Sequence, residues 1–264
     1  MSRMLNRKRL PVALTIAGSD SGGGAGIQAD LKTFAALGVH GTTAITCITA
    51  QNPAAVRGIQ ACRPTMVSRQ LEAVFETFRL AAAKTGMLYS TGIIRAVVEF
   101  MRCHRVPLVV DPVMVSTSGA RLLQPSAINL LKEDLLPIAS LVTPNLLEAE
   151  ILLGGKIHSV EDMRSAARQL QKRFGCAALV KGGHMSGLKV AVDIFYDGKL
   201  ELLLSAPFIR GVRTHGTGCT YAAAITAFLA HGLPLSTAVR RAKEYITRAI
   251  ARSRRAGRQT VLNW

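Results

Sequence analysis

The chain has 264 residues, of which 49% are apolar and 5% aromatic, and its formal net charge is +17. This length with an Ala-, Val-, Leu- and Ile-rich composition favours one α/β domain with a buried sheet over a sandwich of exposed strands. The cysteine count is odd and no pair is spaced C-x-x-C, which argues against a disulfide framework or a structural zinc site; the cysteines are Cys47, Cys62, Cys103, Cys176 and Cys219. No apolar run reaches the roughly 18 residues of a membrane helix, so we expect a soluble, cytoplasmic protein that does not bind membranes.

The basic residues gather at the two ends of the chain, in a tail over residues 1–10 and again between residues 240 and 258. They do not form one stripe, and no aromatic residues alternate with them as in a surface on which single strands stack. We therefore predict solvated basic termini and no nucleic-acid partner. Attraction of a phosphate-rich substrate and nucleic-acid binding are the alternatives that the charge leaves open.

Short apolar runs alternate with helical patterns along the whole chain. The predicted strands cover 11–17, 42–49, 81–85, 107–110, 141–143 and 177–181, a hairpin covers 190–196 and 200–204, and the predicted helices cover 25–37, 67–78, 93–104, 126–136, 146–153, 160–174, 218–231 and 237–252. This order predicts a single domain over 1–264: a central, mostly parallel sheet flanked by helices on both faces, with a small β extension possible and a C-terminal tail of uncertain structure over 254–264. The unusual loops follow strands, where ligands bind in such sheets.

The first Gly-rich segment, Gly18 to Gly26, lies between a predicted strand and a helix. Its second half matches the G-x-G-x-x-A dinucleotide fingerprint. That function needs an acidic residue at the end of the next strand, and this strand ends Thr49-Ala50-Gln51-Asn52 without one. The Walker A pattern is also missing from the sequence, so a P-loop enzyme is not predicted.

The second Gly-rich segment, Thr214 to Thr220, immediately precedes a predicted helix. Free backbone N–H groups and the helix dipole favour an anion at such a place, and phosphoryl transfer needs an anion hole of this kind. Because helix N-termini lower the pKa of a thiol, Cys219 is a candidate proton acceptor. The alternative is a Gly-rich helix start with a buried, inert cysteine.

Seven segments together resemble hydroxymethylpyrimidine/phosphomethylpyrimidine kinases, in that family's order. They are Ala17 to Thr33, Thr49 to Asn52, Lys84 to Leu88, Asp111 to Met114, Thr143 to Ala149, Lys181 to His184 and Thr214 to Thr220. The resemblance implies a ribokinase-like fold, ATP and Mg²⁺ as cofactors, and a small-molecule pyrimidine substrate. It also implies two successive phosphorylations, of an alcohol and then of its monophosphate, and relatives of this kind tend to form homodimers.

The resemblance also implies a role for each matching residue. At the substrate, Gln51 and Asp30 would contact the pyrimidine ring, Gly18 would contact it through its backbone, and Met87 and Val113 would line its apolar faces. Lys181 would contact the ATP phosphates, and Asn145 with Glu148, supported by Asp111, would match the magnesium motif. For the transfer step, Gly216, Thr217 and Gly218 would form the anion hole and Cys219 would be the base. The residue chemistry agrees, because a glutamine amide both donates and accepts and magnesium prefers oxygen ligands. We expect His184 and His215 to be structural or to support neighbouring site residues, and not to be catalytic.

Several alternatives stay open at this point. Asp30 could pair on its own helix, Glu148 could be an exposed acid at a helix start, and Lys181 could be a solvated strand end. A pyridoxal-type kinase or a non-catalytic pyrimidine-binding protein would suit the same scaffold. The sequence also departs from the family pattern at Tyr221-Ala222-Ala223, where we expect altered packing behind the anion hole, and in the C-terminal tail, which we expect to leave the proposed chemistry untouched.

Overall fold

The computed structural model describes residues 9–116, 119, 121–183, 185, 189–209 and 215–264, and within them nine strands form one sheet. The strands are β1 (Val12–Asp20), β2 (His40–Asn52), β3 (Ala55–Ala61), β4 (Leu80–Thr85), β5 (Leu108–Val110), β6 (Leu141–Val142), β7 (Ala177–Lys181), β8 (Val190–Tyr196) and β9 (Glu201–Pro207). Their order is β3-β2-β1-β4-β5-β6-β7-β8-β9. The six central strands, β2, β1, β4, β5, β6 and β7 in sheet order, are parallel to one another. Strand β3 pairs antiparallel with β2 at one edge, and β8 and β9 add antiparallel pairs at the other.

The helices of the described residues follow the predicted order. They are α1 (Gly26–Ala36), α2 (Pro64–Thr77), α3 (Thr91–Cys103), α4 (Pro125–Leu130), α5 (Leu146–Leu153), α6 (Val160–Phe174), α7 (Thr217–Ala230) and α8 (Leu235–Ala251). The helix predicted over 126–136 is α4 followed by a π-helical turn, Leu131–Leu135, and a 3-10 turn, Leu136–Ile138. None of these helices is long and apolar enough to cross a bilayer.

Helices cover both faces of the sheet, as the sequence predicts. On one face Ala13 of β1 packs with Phe34 of α1 and Ala223 of α7. On the other face the next residue, Leu14, belongs to the core cluster that includes Val67 of α2. Successive side chains of a strand point to opposite faces, so a strand that is covered on both sides is apolar at nearly every position. This architecture confirms the α/β, ribokinase-like prediction.

The C-terminal residues form a small hairpin, β10 (Arg254–Ala256) with β11 (Gln259–Val261), which the sequence does not predict. The chain then turns back onto the domain: Leu262 is buried, and the Trp264 indole N–H donates to Thr220 Oγ1 at 3.2 Å. Lys32 of α1 lies over the Trp264 ring, 4.4 Å from its centroid. The tail therefore packs against the residue that directly follows Cys219, although it contacts none of the predicted site residues through this hydrogen bond.

Candidate active site

The two Gly-rich segments interlock where α7 begins. Gly216 is the N-cap of α7 and has φ +82°, in the left-handed region that favours glycine. A β-carbon on Gly216 would overlap the carbonyl oxygen of Gly24. Only glycine therefore allows the start of α7 to lie directly against the first Gly-rich turn.

The N-terminus of α7 forms an anion cradle, which we define as the backbone of Gly216, Thr217, Gly218 and Cys219. The N–H of Thr220 donates to the carbonyl of Gly216 at 2.9 Å. The N–H groups before it have no acceptor within the helix, and the helix dipole makes their end of α7 positive. The residues predicted to form the anion hole thus lie at the positive end of α7.

Two charged side chains lie beside the cradle. A β-carbon on Gly218 would be 3.4 Å from Lys181 Nζ and 3.8 Å from Asp111 Oδ2. Lys181, at the end of β7, donates to Asp111 Oδ1 at 2.9 Å, and Thr143 Oγ1 donates to the same oxygen at 3.1 Å. Burial lowers the pKa of Lys181, but the Asp111 and Glu148 carboxylates outweigh it and the pKa is raised. Lys181 is therefore a fixed ammonium, not a solvated strand end.

Glu148 is a buried acid and not the exposed helix-start residue of the alternative interpretation. It forms a capping box with Asn145: the Asn145 side chain accepts from the N–H of Glu148, and Glu148 Oε2 accepts from the N–H of Asn145 at 2.9 Å. Its other oxygen accepts from the N–H of Met114 at 3.2 Å. Burial raises the pKa of Glu148, Lys181 opposes the rise, and Asp111 adds to it.

The Glu148–Met114 bond also secures a strained position. Val113 has φ +43°, where a β-branched residue is a genuine outlier. Such strain persists only when surrounding contacts enforce it, and it concentrates at functional sites. Val113, predicted to line the substrate pocket, is thus held in an unusual conformation by a neighbour that is itself a predicted site residue.

The Cys219 thiol does not have the lowered pKa that its position at a helix start predicts. Burial raises its pKa to about 12, the Asp30 charge adds to the rise, and Lys84 opposes it. The prediction failed because desolvation of the thiolate outweighs the helix dipole. In the free protein Cys219 carries its proton at neutral pH.

Asp30 does not line the site. Its side chain is fully buried, and Oδ2 accepts from Lys84 Nζ at 2.7 Å and from Thr15 Oγ1 at 2.6 Å. The predicted contact between Asp30 and the substrate ring is therefore not available in this structure. Asp30 pairs with Lys84 of β4 in the core beneath the cradle, a partner that the sequence does not reveal.

Gln51 lies next to the cradle, at the end of β2. Its Nε2 is 3.0 Å from Nε2 of His215, the residue that immediately precedes Gly216. On its other side, Gln51 Oε1 lies 3.2 Å from Thr49 Oγ1. Gln51, the residue predicted to bind the substrate ring, and the anion cradle are far apart in sequence but are thus neighbours in the fold.

Asp20 is a site residue that the sequence interpretation missed. Its Oδ2 lies 3.1 Å from His215 Nε2 and also accepts from the N–H of Ala25 at 2.8 Å, while Oδ1 accepts from the N–H of Gly22 at 2.8 Å. Burial raises the Asp20 pKa, but the hydrogen bonds from His215 and these backbone groups outweigh it, and the pKa is lowered. Asp20 therefore orients His215 as an ionised carboxylate. Its place at the end of the buried strand β1 was the available signal.

Gly18 and Met87 meet on the remaining side. A β-carbon on Gly18 would lie 3.3 Å from Met87 Sδ, and Thr46 Oγ1 donates to the carbonyl of Met87 at 2.6 Å. Met87 is largely buried. The structure thus brings Gly18 and Met87 together as predicted for two residues of one pocket. His184 and Thr214 lie outside the described residues.

The chain matches the family model described as phosphomethylpyrimidine kinase over residues 20–263. It is 46% identical to a hydroxymethylpyrimidine/phosphomethylpyrimidine kinase of Synechococcus elongatus, covering 92% of this chain and 93% of that one. It is 48% identical to a bifunctional thiamine-biosynthesis protein of Geobacter sulfurreducens, covering 93% of this chain. The chain spans half the length of that relative.

Solved structures give the same fold. A phosphomethylpyrimidine kinase of Clostridium difficile superposes with a TM-score of 0.81 at 43% identity, covering 92% of this chain and all of that one. The pyridoxal kinase of Staphylococcus aureus, solved with AMP-PCP and pyridoxal, superposes with a TM-score of 0.87 at 35% identity, covering 97% of this chain and 93% of that one.

Proposed function

Because this chain belongs to the phosphomethylpyrimidine kinase family, we propose that it transfers phosphate from ATP to 4-amino-5-hydroxymethyl-2-methylpyrimidine, and then to the monophosphate, in thiamin biosynthesis. The observation that supports this best is the contact between Gln51 and His215, because it joins a ring-binding amide to an anion cradle. Gly18, Met87 and Val113 supply the remaining ring contacts in this proposal. The partners are the pyrimidine and ATP, in a homodimer that binds neither nucleic acid nor membrane.

The cradle and Lys181 have complementary roles in phosphoryl transfer. The migrating phosphoryl group carries charge on its equatorial oxygens, and catalysis consists mainly of positioning and of stabilising that charge. Backbone N–H groups at the start of α7 would face these oxygens. Lys181, fixed by Asp111 beside Gly218, would contact the phosphates from the side. Both groups are in place before substrate binds, so little reorganisation is needed.

Asp111 and Glu148, with Asn145 in support, are the residues that would hold Mg²⁺ in this proposal. Their carboxylate oxygens fit the cation, whose charge would oppose the effect of burial that raises the pKa of Glu148. Among the described residues, no three His, Cys, Asp or Glu side chains are grouped for a metal. Phosphate and water oxygens would therefore complete the coordination. When bound, the cation would neutralise charge on the phosphates.

Cys219 lies where a proton acceptor for the substrate alcohol is needed. Cys219 is half-buried, and its own proton must pass to solvent before the thiolate can act as a base, because burial raises its pKa to about 12. Lys84 and Lys181 are the positive groups whose charges favour that loss. In a loose transition state the alcohol keeps its proton until late, so the acceptor acts after most of the bond to phosphorus has formed.

Pyridoxal phosphorylation is the second candidate, supported by the structural likeness to the pyridoxal kinase of Staphylococcus aureus. The deciding experiment incubates the protein with ATP and each alcohol separately and measures ADP release together with the mono- and diphosphate products. We expect the pyrimidine alcohol to have the higher kcat/KM and to yield both products in turn. A preference for pyridoxal, or pyrimidine binding without turnover, would overturn the proposal.

A further inference from the structure

The side-chain amide of Gln51 lies between the Thr49 hydroxyl and the His215 ring, and each of these groups has another hydrogen-bond acceptor for its proton. Thr49 Oγ1 lies 2.8 Å from the carbonyl oxygen of Ser19, so its single proton goes to that acceptor. Facing Gln51, the Thr49 hydroxyl can then only accept. The group of Gln51 that best satisfies this hydroxyl, 3.2 Å away, is the amide N–H₂.

The other side of the amide leads to the same requirement. Asp20 accepts from backbone N–H groups and lies 3.1 Å from His215 Nε2. Because the Asp20 pKa is lowered, its carboxylate is ionised and only accepts, so His215 Nε2 must carry a proton. Gln51 lies 3.0 Å from the same ring nitrogen, so a Gln51 amide oxygen there would be a second acceptor that shares this N–H with Asp20. If the Gln51 N–H₂ group were at this place, two hydrogen-bond donors, the amide and the His215 N–H, would face each other.

We propose that the Gln51 amide is turned with its oxygen toward His215 and its nitrogen toward Thr49, and that Thr49 and Asp20 are positioning residues that fix this orientation for ring recognition. The two orientations of an amide exchange only nitrogen and oxygen, so the same heavy-atom positions accommodate both. In the turned orientation each hydrogen bond around the amide has one donor and one acceptor. One N–H and one oxygen lone pair remain free for a ligand.

This orientation has a direct consequence for the substrate, and it rests on the proposed function. In the pyrimidine alcohol the ring nitrogen, the amino group and the hydroxymethyl group occupy consecutive ring positions. With the Gln51 oxygen on the His215 side, the amino group binds on that side and the ring nitrogen binds on the Thr49 side. The hydroxymethyl group, next to the amino group, then points toward Gly216 and the cradle. The opposite amide orientation would point it away.

The same orientation discriminates against pyridoxal. There the neighbour of the hydroxymethyl group is an aldehyde, whose oxygen accepts and does not donate. Placed with its alcohol toward the cradle, it would bring two acceptors together at Gln51. Two acceptors that face each other leave a hydrogen bond unmade when both lose water, so the fixed amide favours the aminopyrimidine.

The orientation can be measured in the free protein without any substrate. In a sample labelled with ¹⁵N on glutamine side chains, we expect nuclear Overhauser contacts from the Gln51 amide protons to the Thr49 methyl group. Contacts to the His215 ring protons instead would overturn the proposal. This result is independent of kinase activity, so failure of the proposed function, seen as no turnover of the pyrimidine alcohol, is distinguishable from failure of this inference.

A matched pair of variants tests the effect on specificity. Thr49→Val keeps the shape of this buried side chain but removes the hydroxyl, so the amide can turn; Thr49→Ser keeps the hydroxyl. For Thr49→Val we expect the ratio of kcat/KM for the pyrimidine over pyridoxal to fall about tenfold, mainly through KM, and for Thr49→Ser we expect it to stay within about twofold of wild type. If Thr49→Val lowers kcat/KM equally for both alcohols, Thr49 is merely structural and the inference is wrong.

Discussion

Replacement of Gly216 by alanine tests the cradle at its most constrained position. The new β-carbon would overlap the Gly24 carbonyl, and alanine at φ +82° costs about 1–2 kcal/mol in conformational strain alone. The start of α7 must move to relieve the overlap, which turns the N–H groups away from the phosphoryl oxygens. Loss of one such donor typically costs about 10²–10³ in kcat. We therefore expect kcat to fall at least about a hundredfold, and the protein to lose at least about 1–2 kcal/mol of stability.

Gly232 provides the matched control. Its φ of +80° is nearly the same, but nothing lies within 4 Å of the β-carbon it would carry. Gly232→Ala should show the strain cost in urea denaturation and keep wild-type kcat. The coupled ATP assay compares both variants with wild type at saturating substrates. If Gly216→Ala keeps kcat within about threefold of wild type, the cradle does not stabilise the transferring group and the reasoning is refuted.

Three further predictions concern the groups around the cradle. Cys219→Ala should keep pyrimidine binding, measured by calorimetry, but lose about a hundredfold or more in turnover. In the wild-type protein, alkylation of Cys219, followed by mass mapping, should stay slow until the pH approaches its raised pKa of about 12. A midpoint of the alkylation rate below pH 8 would contradict this. Lys84→Met should lower the free energy of unfolding in urea by about 3–5 kcal/mol, because it leaves the Asp30 carboxylate buried without its cation. Adding Asp30→Asn to this variant should recover most of the lost stability. A loss below about 1 kcal/mol for Lys84→Met alone would contradict the buried pair. Trp264→Phe removes the donor to Thr220 and should cost about 0.5–1.5 kcal/mol, whereas unchanged stability would show that the C-terminal contact is not formed in solution.

Elements with a strong apolar pattern were predictable because local sequence and burial agree in them. The strands of the sheet interior and the long helices such as α6 are of this kind, and α6 also begins at a Ser159 capping box and ends at Gly175 in the left-handed conformation. Strand β3 was not predicted because it is an edge strand with most side chains half-buried or exposed, so it lacks the alternation that marks a strand. In the C-terminal hairpin β10 is exposed and β11 is exposed or half-buried, so it escaped prediction for the same reason.

The site was predictable as a set of loops, but not in its charge pairing. Parallel topology places the loops after β1, β2, β5 and β7 at one edge of the sheet, which brings Gln51, Asp111 and Lys181 to the region of the cradle. The partner of Asp30 is 54 residues away and the partner of His215 is 195 residues away, and no local pattern encodes either pair. The pKa of Cys219 likewise depends on burial by other elements, so the helix-start rule alone gave the wrong direction.

A crystal structure of the protein with a non-hydrolysable ATP analogue and the pyrimidine alcohol tests the central claim most directly. We expect the terminal phosphate at the N–H groups of residues 217–219, and the ring on Gln51 with its hydroxymethyl oxygen turned toward that phosphate. A complex with the ring or the terminal phosphate bound elsewhere on the molecule would contradict the account.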